Sequence, residues 1–235
     1  MTLPVAILAG GLSTRLRPVT ERIPKSLVEV GGKPFVDHQL RLLARNGIQR
    51  VVFCLGYLGE QVVDVVGDGA RFGLDVRYVF DGDRLLGTAG AITRALSILG
   101  DEFFILYGDS YLDCDYQAVE AAFRSAQLPA LMTVFANGGY WDNSNVEFDG
   151  QRIVGYSKAN RTERMQHIDY GLGAAHRSIF DEVSTETPTD LASLYEDLVR
   201  RGEIAAYEVT RRFYEVGSFD GIAELDAYLK EHDAK

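Results

Sequence analysis

The chain has 235 residues, enough for one large domain with a proper core, and its 46% hydrophobic and 25% charged content is ordinary for a soluble globular protein. A formal net charge of −10 argues against general binding to nucleic acid or to anionic membranes. The two cysteines, Cys54 in an apolar run and Cys114 between two aspartates, have no metal-type spacing and do not suggest a disulfide framework.

Leu3 to Ala9 reads as a short buried strand closed by a glycine pair, Gly10 and Gly11, whose backbone can turn sharply and bring N–H groups close to a ligand. Ser13, Thr14 and Arg15 add hydroxyls and a planar guanidinium fork suited to phosphate oxygens. Arg17, Arg22 and Lys25 follow, opposed only by Glu21. Strand, glycine turn and basic loop together describe a polyphosphate site; the plainer reading is a solvated basic loop after an ordinary strand. No G-x-x-x-x-G-K-[ST] and no G-x-G-x-x-G occurs here, so neither a P-loop nor a dinucleotide fingerprint is present. The apolar run lacks a basic flank and is too short for a secretory core or a membrane span, and a cytoplasmic protein is expected.

Further along, Pro34 to Asn46 predicts a helix with proline at its first position and Gly47 as its stop. Val51 to Leu55 is a strand, Leu58 to Val66 has helical spacing, and Val76 to Phe80 is the next strand. Thr88 to Leu99 predicts a helix, Phe103 to Tyr107 a strand ending at Gly108-Asp109, Tyr116 to Ala126 a helix and Ala130 to Phe135 a strand. This alternation is a βαβ series, hence a largely parallel sheet covered on both faces. After Ala136 the rhythm changes: Val146 to Tyr156 looks like a hairpin turning on Asp149-Gly150. A helix over 190–201, a strand over 204–210 and a closing helix from Phe219 to about Glu231 complete an α/β fold with a small inserted β lobe.

Asp109 ends a buried strand, where open α/β sheets bind ligands, and from this segment alone it is equally a metal ligand or a turn cap. Asp113 and Asp115 mimic a D-x-D motif, but the strand ends earlier, and Asp115 reads as the cap of the next helix. Asp81 and Asp83 read as loop residues, and His38, His167, His176 and His232 lack ligand spacing.

The opening stretch, Gly10-Gly11-Leu12-Ser13-Thr14-Arg15-Leu16-Arg17-Pro18-Val19-Thr20 with Pro24-Lys25-Ser26, resembles the signature of the sugar-phosphate nucleotidylyltransferases, G-G-x-G-T-R-L-x-P-L-T then P-K-P. Ser13 replaces the third glycine and Ser26 the second proline. Gly87-Thr88-Ala89-Gly90-Ala91 matches that family's G-T-A-G-A.

The resemblance runs through the chain and implies a Rossmann-like α/β/α sandwich with a mixed, mostly parallel sheet. It implies one nucleotidyltransferase domain over 1–235, with a nucleotide-binding part at 1–136 and a sugar-phosphate-binding part at 137–235. The implied reaction is Mg²⁺-dependent formation of an NDP-sugar and pyrophosphate from an NTP and a sugar 1-phosphate. By the same likeness Arg15 and Lys25 are catalytic, and Leu8, Ala9, Gly10, Gly11, Ser13, Thr14, Gly87, Thr88 and Gly90 bind the nucleotide. Lys158, Asp169 and Gly171 bind the sugar phosphate, and Asp109 and Glu215 hold Mg²⁺. Glu215 stands where the family has an aspartate; the residue alone reads as a surface glutamate. Two rivals are a nucleotide-sugar-dependent glycosyltransferase, disfavoured by the Arg15/Lys25 pair, and a silent nucleotide-sugar-sensing subunit, disfavoured by Arg15, Lys25 and Asp109. Nucleobase, sugar and oligomeric state are left open.

Overall fold

The central strands of the early βαβ series are apolar on both sides, and the computed structural model shows why. It describes residues 2–11, 16 and 18–232. β1 (Val5–Ala9) lies between β4 (Arg50–Leu55) and β6 (Glu102–Tyr107), parallel to both, and β5 (Asp75–Phe80) extends the sheet beyond β4. Alternate residues serve opposite layers: Val51, Phe53 and Leu55 of β4 face one core, while Val52 and Cys54 face the other. A strand buried on both faces cannot alternate apolar with polar, so it reads as a continuous apolar run.

The first core is closed by α1 (Phe35–Arg45), α2 (Gly59–Val66) and α4 (Tyr116–Ala126), through Leu40, Val62 and Val119 among others. The opposite core is closed by α3 (Gly87–Leu99) and α5 (Leu191–Arg201), through Ile92, Leu96 and Leu198. Each fully buried Leu, Ile or Phe contributes roughly 1.5–3 kcal/mol of apolar burial, so both layers are well anchored. A third cluster seats α6 (Phe219–His232) by Leu225 and Leu229 against Phe35, Leu42 and Val216.

The second half of the chain completes the sheet. β8 (Ala130–Ala136) pairs in parallel with β12 (Ile204–Val209), and both join through β11 (His167–His176). β11 runs antiparallel to β6, β8 and β9 (Val146–Phe148). β9 and β10 (Ile153–Tyr156) form the expected hairpin at one end of the sheet, so the small β lobe is that edge hairpin. Among the described residues the sheet has nine strands, in the path β10-β9-β11-β6-β1-β4-β5 with β8 attached to β11 and β12 to β8.

Two small pairings matter for the site. β2 (Glu29–Val30) and β3 (Lys33–Pro34) make a tight ribbon leading into α1, so Pro34 caps the helix and Phe35 is its first residue. β7 (Ser110–Tyr111) pairs antiparallel with β13 (Tyr214–Glu215), bringing the chain's last strand back to the end of β6. No helix among the described residues is long and apolar enough to cross a membrane.

Candidate active site

The ends of β1 and β6 open into a cavity of about 340 Å³. Leu8, Ala9, Gly10 and Gly11 line it from β1, Gly87 and Thr88 from the start of α3, and Asp109 from the end of β6. Lys25 enters from a short 3-10 turn, Lys25–Leu27, set off by the extended Pro24. Ser13, Thr14 and Arg15, expected in the same loop, lie outside the described residues.

Two glycines of this cavity, Gly10 and Gly87, also serve the protein's own packing. A side chain on Gly10 would sit 3.1 Å from the backbone N of Gly56, so β1 and β4 can close at their ends. Gly87 has φ +74°, and a Cβ there would lie 2.5 Å from the Thr189 carbonyl. That carbonyl accepts the Ala89 N–H at 2.9 Å, and the Thr88 hydroxyl accepts the Leu191 N–H at 2.7 Å. The G-T-A-G-A segment therefore docks α3 onto the chain entering α5. Gly90 packs against Leu86 and does not line the cavity.

A residue that reads from the sequence as an ordinary loop position sits here as well. Asp81 is buried, lines the cavity and accepts the Leu86 N–H at 3.2 Å. Burial pushes its carboxyl upward, and the Leu86 N–H and Arg94 partly offset this. Nothing in an Asp-Gly-Asp loop sequence announces such burial; it follows from the crossing of the β5 end with α3.

A second cavity of about 280 Å³ adjoins the first, and Tyr107 and Asp109 line both. Lys158, Asp169, Gly171 and Glu215 all line this second cavity, as does Arg161. A bulge in β11 between Asp169 and Gly173 breaks its pairing with β8 there. Asp169 Oδ1 accepts the Gly171 N–H at 3.1 Å, and Asn145 Oδ1 holds the Asp169 N–H at 2.9 Å. Burial pushes the Asp169 carboxyl upward, with Lys158 and the Gly171 N–H opposing. Lys158 donates to the Tyr107 hydroxyl at 3.5 Å and lies 5.1 Å from that ring's centre. Burial, with Asp169 adding to it, drives the Tyr107 phenol well above its usual range, so it is a neutral hydroxyl between the two cavities.

The end of β6 is held from three sides. Lys25 Nζ donates to Asp109 Oδ2 at 2.6 Å. The Val216 N–H donates to the Asp109 carbonyl at 2.9 Å, and Glu215 pairs with Ser110 across the β7–β13 ribbon. Buried Gln39 of α1 donates to the carbonyls of Tyr107 and Ser110, at 3.0 and 2.8 Å. Gln39 is another residue missed from sequence; its signal is a polar side chain among the buried positions of an amphipathic helix.

Asp109 and Glu215 are hard oxygen donors on one cavity wall, and one or two carboxylates completed by phosphate and water suit Mg²⁺. Among the described residues no group of three or more His, Cys, Asp or Glu is placed to hold a metal ion. The D-x-D lookalike serves structure instead. Asp113 accepts from Arg211 at 2.8 Å and from the Tyr228 hydroxyl, while Asp115 caps α4 by accepting the Ala118 N–H at 3.0 Å. His38 is buried, bonded to the Val30 carbonyl at 2.9 Å.

The chain is 36% identical over 159 residues to a glucose-1-phosphate thymidylyltransferase of Streptomyces antibioticus, covering 66% of this chain but only 44% of that protein. It is 28% identical over 228 residues to the N-acetylmuramate alpha-1-phosphate uridylyltransferase of Neisseria meningitidis serogroup B, covering 94% and 96% of the two chains. A crystal structure from Bacillus anthracis, assigned as a glucose-1-phosphate thymidylyltransferase, superposes with a TM-score of 0.84 over 98% of this chain and 96% of its own. At 18% identity that last likeness is one of fold. The model of the nucleotidyl transferase family matches residues 5–148, which span the glycine loop, Lys25, the G-T-A-G-A helix and Asp109; this chain is a member of the nucleotidyl transferase family.

Proposed function

We propose that the protein is a Mg²⁺-dependent sugar-1-phosphate nucleotidylyltransferase that joins an NTP to a sugar 1-phosphate, releasing pyrophosphate and an NDP-sugar. The observation that carries this reading is the pair of cavities meeting at Tyr107 and Asp109, each with its own lysine, Lys25 in one and Lys158 in the other. Such a transfer brings two anions together and expels a third, so positioning and charge neutralisation do most of the work. The cavity beside the glycine loop suits the NTP, with Lys25 and Arg15 opposing phosphate charge. The second suits the sugar 1-phosphate, with Lys158 at the phosphate and Asp169 and the Gly171 backbone at sugar hydroxyls.

Asp109 and Glu215 would hold Mg²⁺ where the two cavities adjoin. When bound, the ion supplies charge neutralisation at the reacting phosphates. The protein's own groups do the rest. Lys25 donates to phosphate oxygens, Tyr107 offers a neutral hydroxyl at the junction, and the β7–β13 ribbon fixes the two carboxylates relative to each other. Charged, phosphorylated substrates that do not cross membranes unaided support a cytoplasmic location. Relatives named for glucose, N-acetylmuramate and mannose 1-phosphates define the panel to try. Pyrophosphate release from those three sugars, each crossed with UTP, dTTP and GTP, tests the reading. Release dependent on both substrates supports it; none from any pair opposes it.

A further inference from the structure

Lys158 and Arg161, two cations that line the second cavity, sit on the turn that leaves β10. Ser157 begins that turn, is buried, and is hydrogen-bonded on three sides. Its N–H donates to the Asn145 carbonyl at 3.1 Å, which keeps the turn beside the chain entering β9. Its hydroxyl oxygen accepts the Asn160 N–H at 3.0 Å, so the turn closes on itself around Lys158. The one hydroxyl proton goes to Glu196 Oε1 of α5, at 2.8 Å. Glu196 thereby holds the turn from outside it.

α5 gives that bond a fixed base. Its entry is docked on the first turn of α3 through Thr88 and Thr189, and Asp190 just before it lines the first cavity. Leu191, Tyr195 and Leu198 bury its inner face. Tyr195 meets Tyr156, the last residue of β10, edge to face with ring centres 6.1 Å apart. The ring contact and the carboxylate thus act on the adjacent residues Tyr156 and Ser157, one through apolar burial and one through a charge-assisted hydrogen bond.

A carboxylate bonded to the neighbour of a phosphate-binding lysine is a cost to an anion site, because its charge opposes that of the ligand. Something must offset that cost. We propose that Glu196 is a positioning residue for the sugar phosphate, acting through Ser157 to fix the backbone that carries Lys158 and Arg161. Long cationic side chains already lose rotamer freedom when they bind, and a backbone that moved as well would add to the loss. With Ser157 held, both cations start from one backbone position. The proposal rests on the sugar 1-phosphate reading above.

Calorimetry with Mg²⁺ tests it, using glucose, mannose and N-acetylmuramate 1-phosphates and, separately, UTP, dTTP and GTP. The proteins compared are wild type, Lys158→Ala, Ser157→Ala, Glu196→Ala and Glu196→Gln. Glu196→Ala and Ser157→Ala should each weaken the preferred sugar 1-phosphate about tenfold, the scale of one charge-assisted hydrogen bond, and keep nucleotide affinity within about twofold. Glu196→Gln retains an oxygen acceptor for the Ser157 hydroxyl and should stay within about threefold of wild type. Added to Lys158→Ala, Glu196→Ala should cost less than it does alone, because one cation that it positions is gone. Tighter sugar binding in both Glu196 variants would make the residue a repelling charge and overturn the proposal. An equal loss for nucleotides with a lowered melting temperature would overturn it too, making Glu196 a general support of the fold. Loss of the sugar in Lys158→Ala, with unchanged affinity in Glu196→Ala and Ser157→Ala, overturns the proposal and leaves the sugar 1-phosphate reading standing. Sugar binding that is absent from wild type, or indifferent to Lys158→Ala, removes that reading and the proposal with it.

Discussion

Lys25 and Asp109, 84 positions apart in sequence, share a 2.6 Å charge-assisted hydrogen bond at the junction of the two cavities. If Asp109 also holds Mg²⁺ as proposed, the ion and the Lys25 ammonium would compete for this carboxylate. Lys25→Ala is therefore expected to have two opposite effects. Mg²⁺ binding to the nucleotide-free protein, measured by calorimetry, should tighten. Turnover should fall on the order of 10²-fold or more, because a donor to the reacting phosphates is gone. Lost turnover with weakened metal binding would make the lysine a structural partner of Asp109 instead.

The two carboxylates should separate by geometry. Asp109 lines both cavities, whereas Glu215 lines the second. Asp109→Asn should raise the Mg²⁺ concentration needed for half-maximal activity more than Glu215→Gln does. Glu215→Asp keeps a hard oxygen ligand and should remain active. Activity titrated against Mg²⁺ checks the order; wild-type metal dependence in Glu215→Gln would remove Glu215 from the metal site.

Gln39 supports the site from beneath. Gln39→Leu removes both donors to the Tyr107 and Ser110 carbonyls, and each buried acceptor left unsatisfied costs about 1–3 kcal/mol. The melting temperature should fall, and kcat should fall about tenfold or more, because a small displacement of Asp109 is amplified in the chemistry. A variant with lowered melting temperature but unchanged kcat would confine Gln39 to stability.

Asp169 predicts a pH signature. Burial raises its folded-state carboxyl above the ordinary 3.8, so the folded protein binds this proton more tightly than the unfolded chain does. The stability it contributes is present below 3.8 and is lost as pH rises through the folded value. Asp169→Asn should therefore melt higher than wild type at neutral pH, with the advantage shrinking as pH falls toward 3.8, while sugar 1-phosphate affinity drops. Melting curves across pH test this, and a constant difference between the two proteins would contradict it.

The βαβ series was legible because its strands and helices are long and locally consistent; most predicted elements begin or end within a residue or two of those observed. β11 was not legible. Its central residues Gly171, Gly173, Ala174 and Ala175 carry little side chain, it is buried on both faces, and a bulge interrupts its register. Site residues within motifs, such as Lys25 and Thr88, could be named from the resemblance to the family's signature. Asp81, Gln39 and Glu196 could not, because their importance comes from tertiary crossings: the β5 end against α3, α1 beneath the end of β6, and α5 against the turn after β10. The D-x-D lookalike shows the converse, a suggestive pattern used as a helix cap and a partner for Arg211.

Tracing phosphorus through one turnover tests the central claim most directly. The protein is incubated with Mg²⁺, an α-³²P-labelled NTP and the sugar 1-phosphate that it turns over, and the labelled products are separated. The account predicts label in an NDP-sugar, equimolar unlabelled pyrophosphate, and loss of both products in Lys25→Ala. Label appearing as nucleoside monophosphate or diphosphate, whether or not the sugar is present, would contradict it and make the two cavities a hydrolase site.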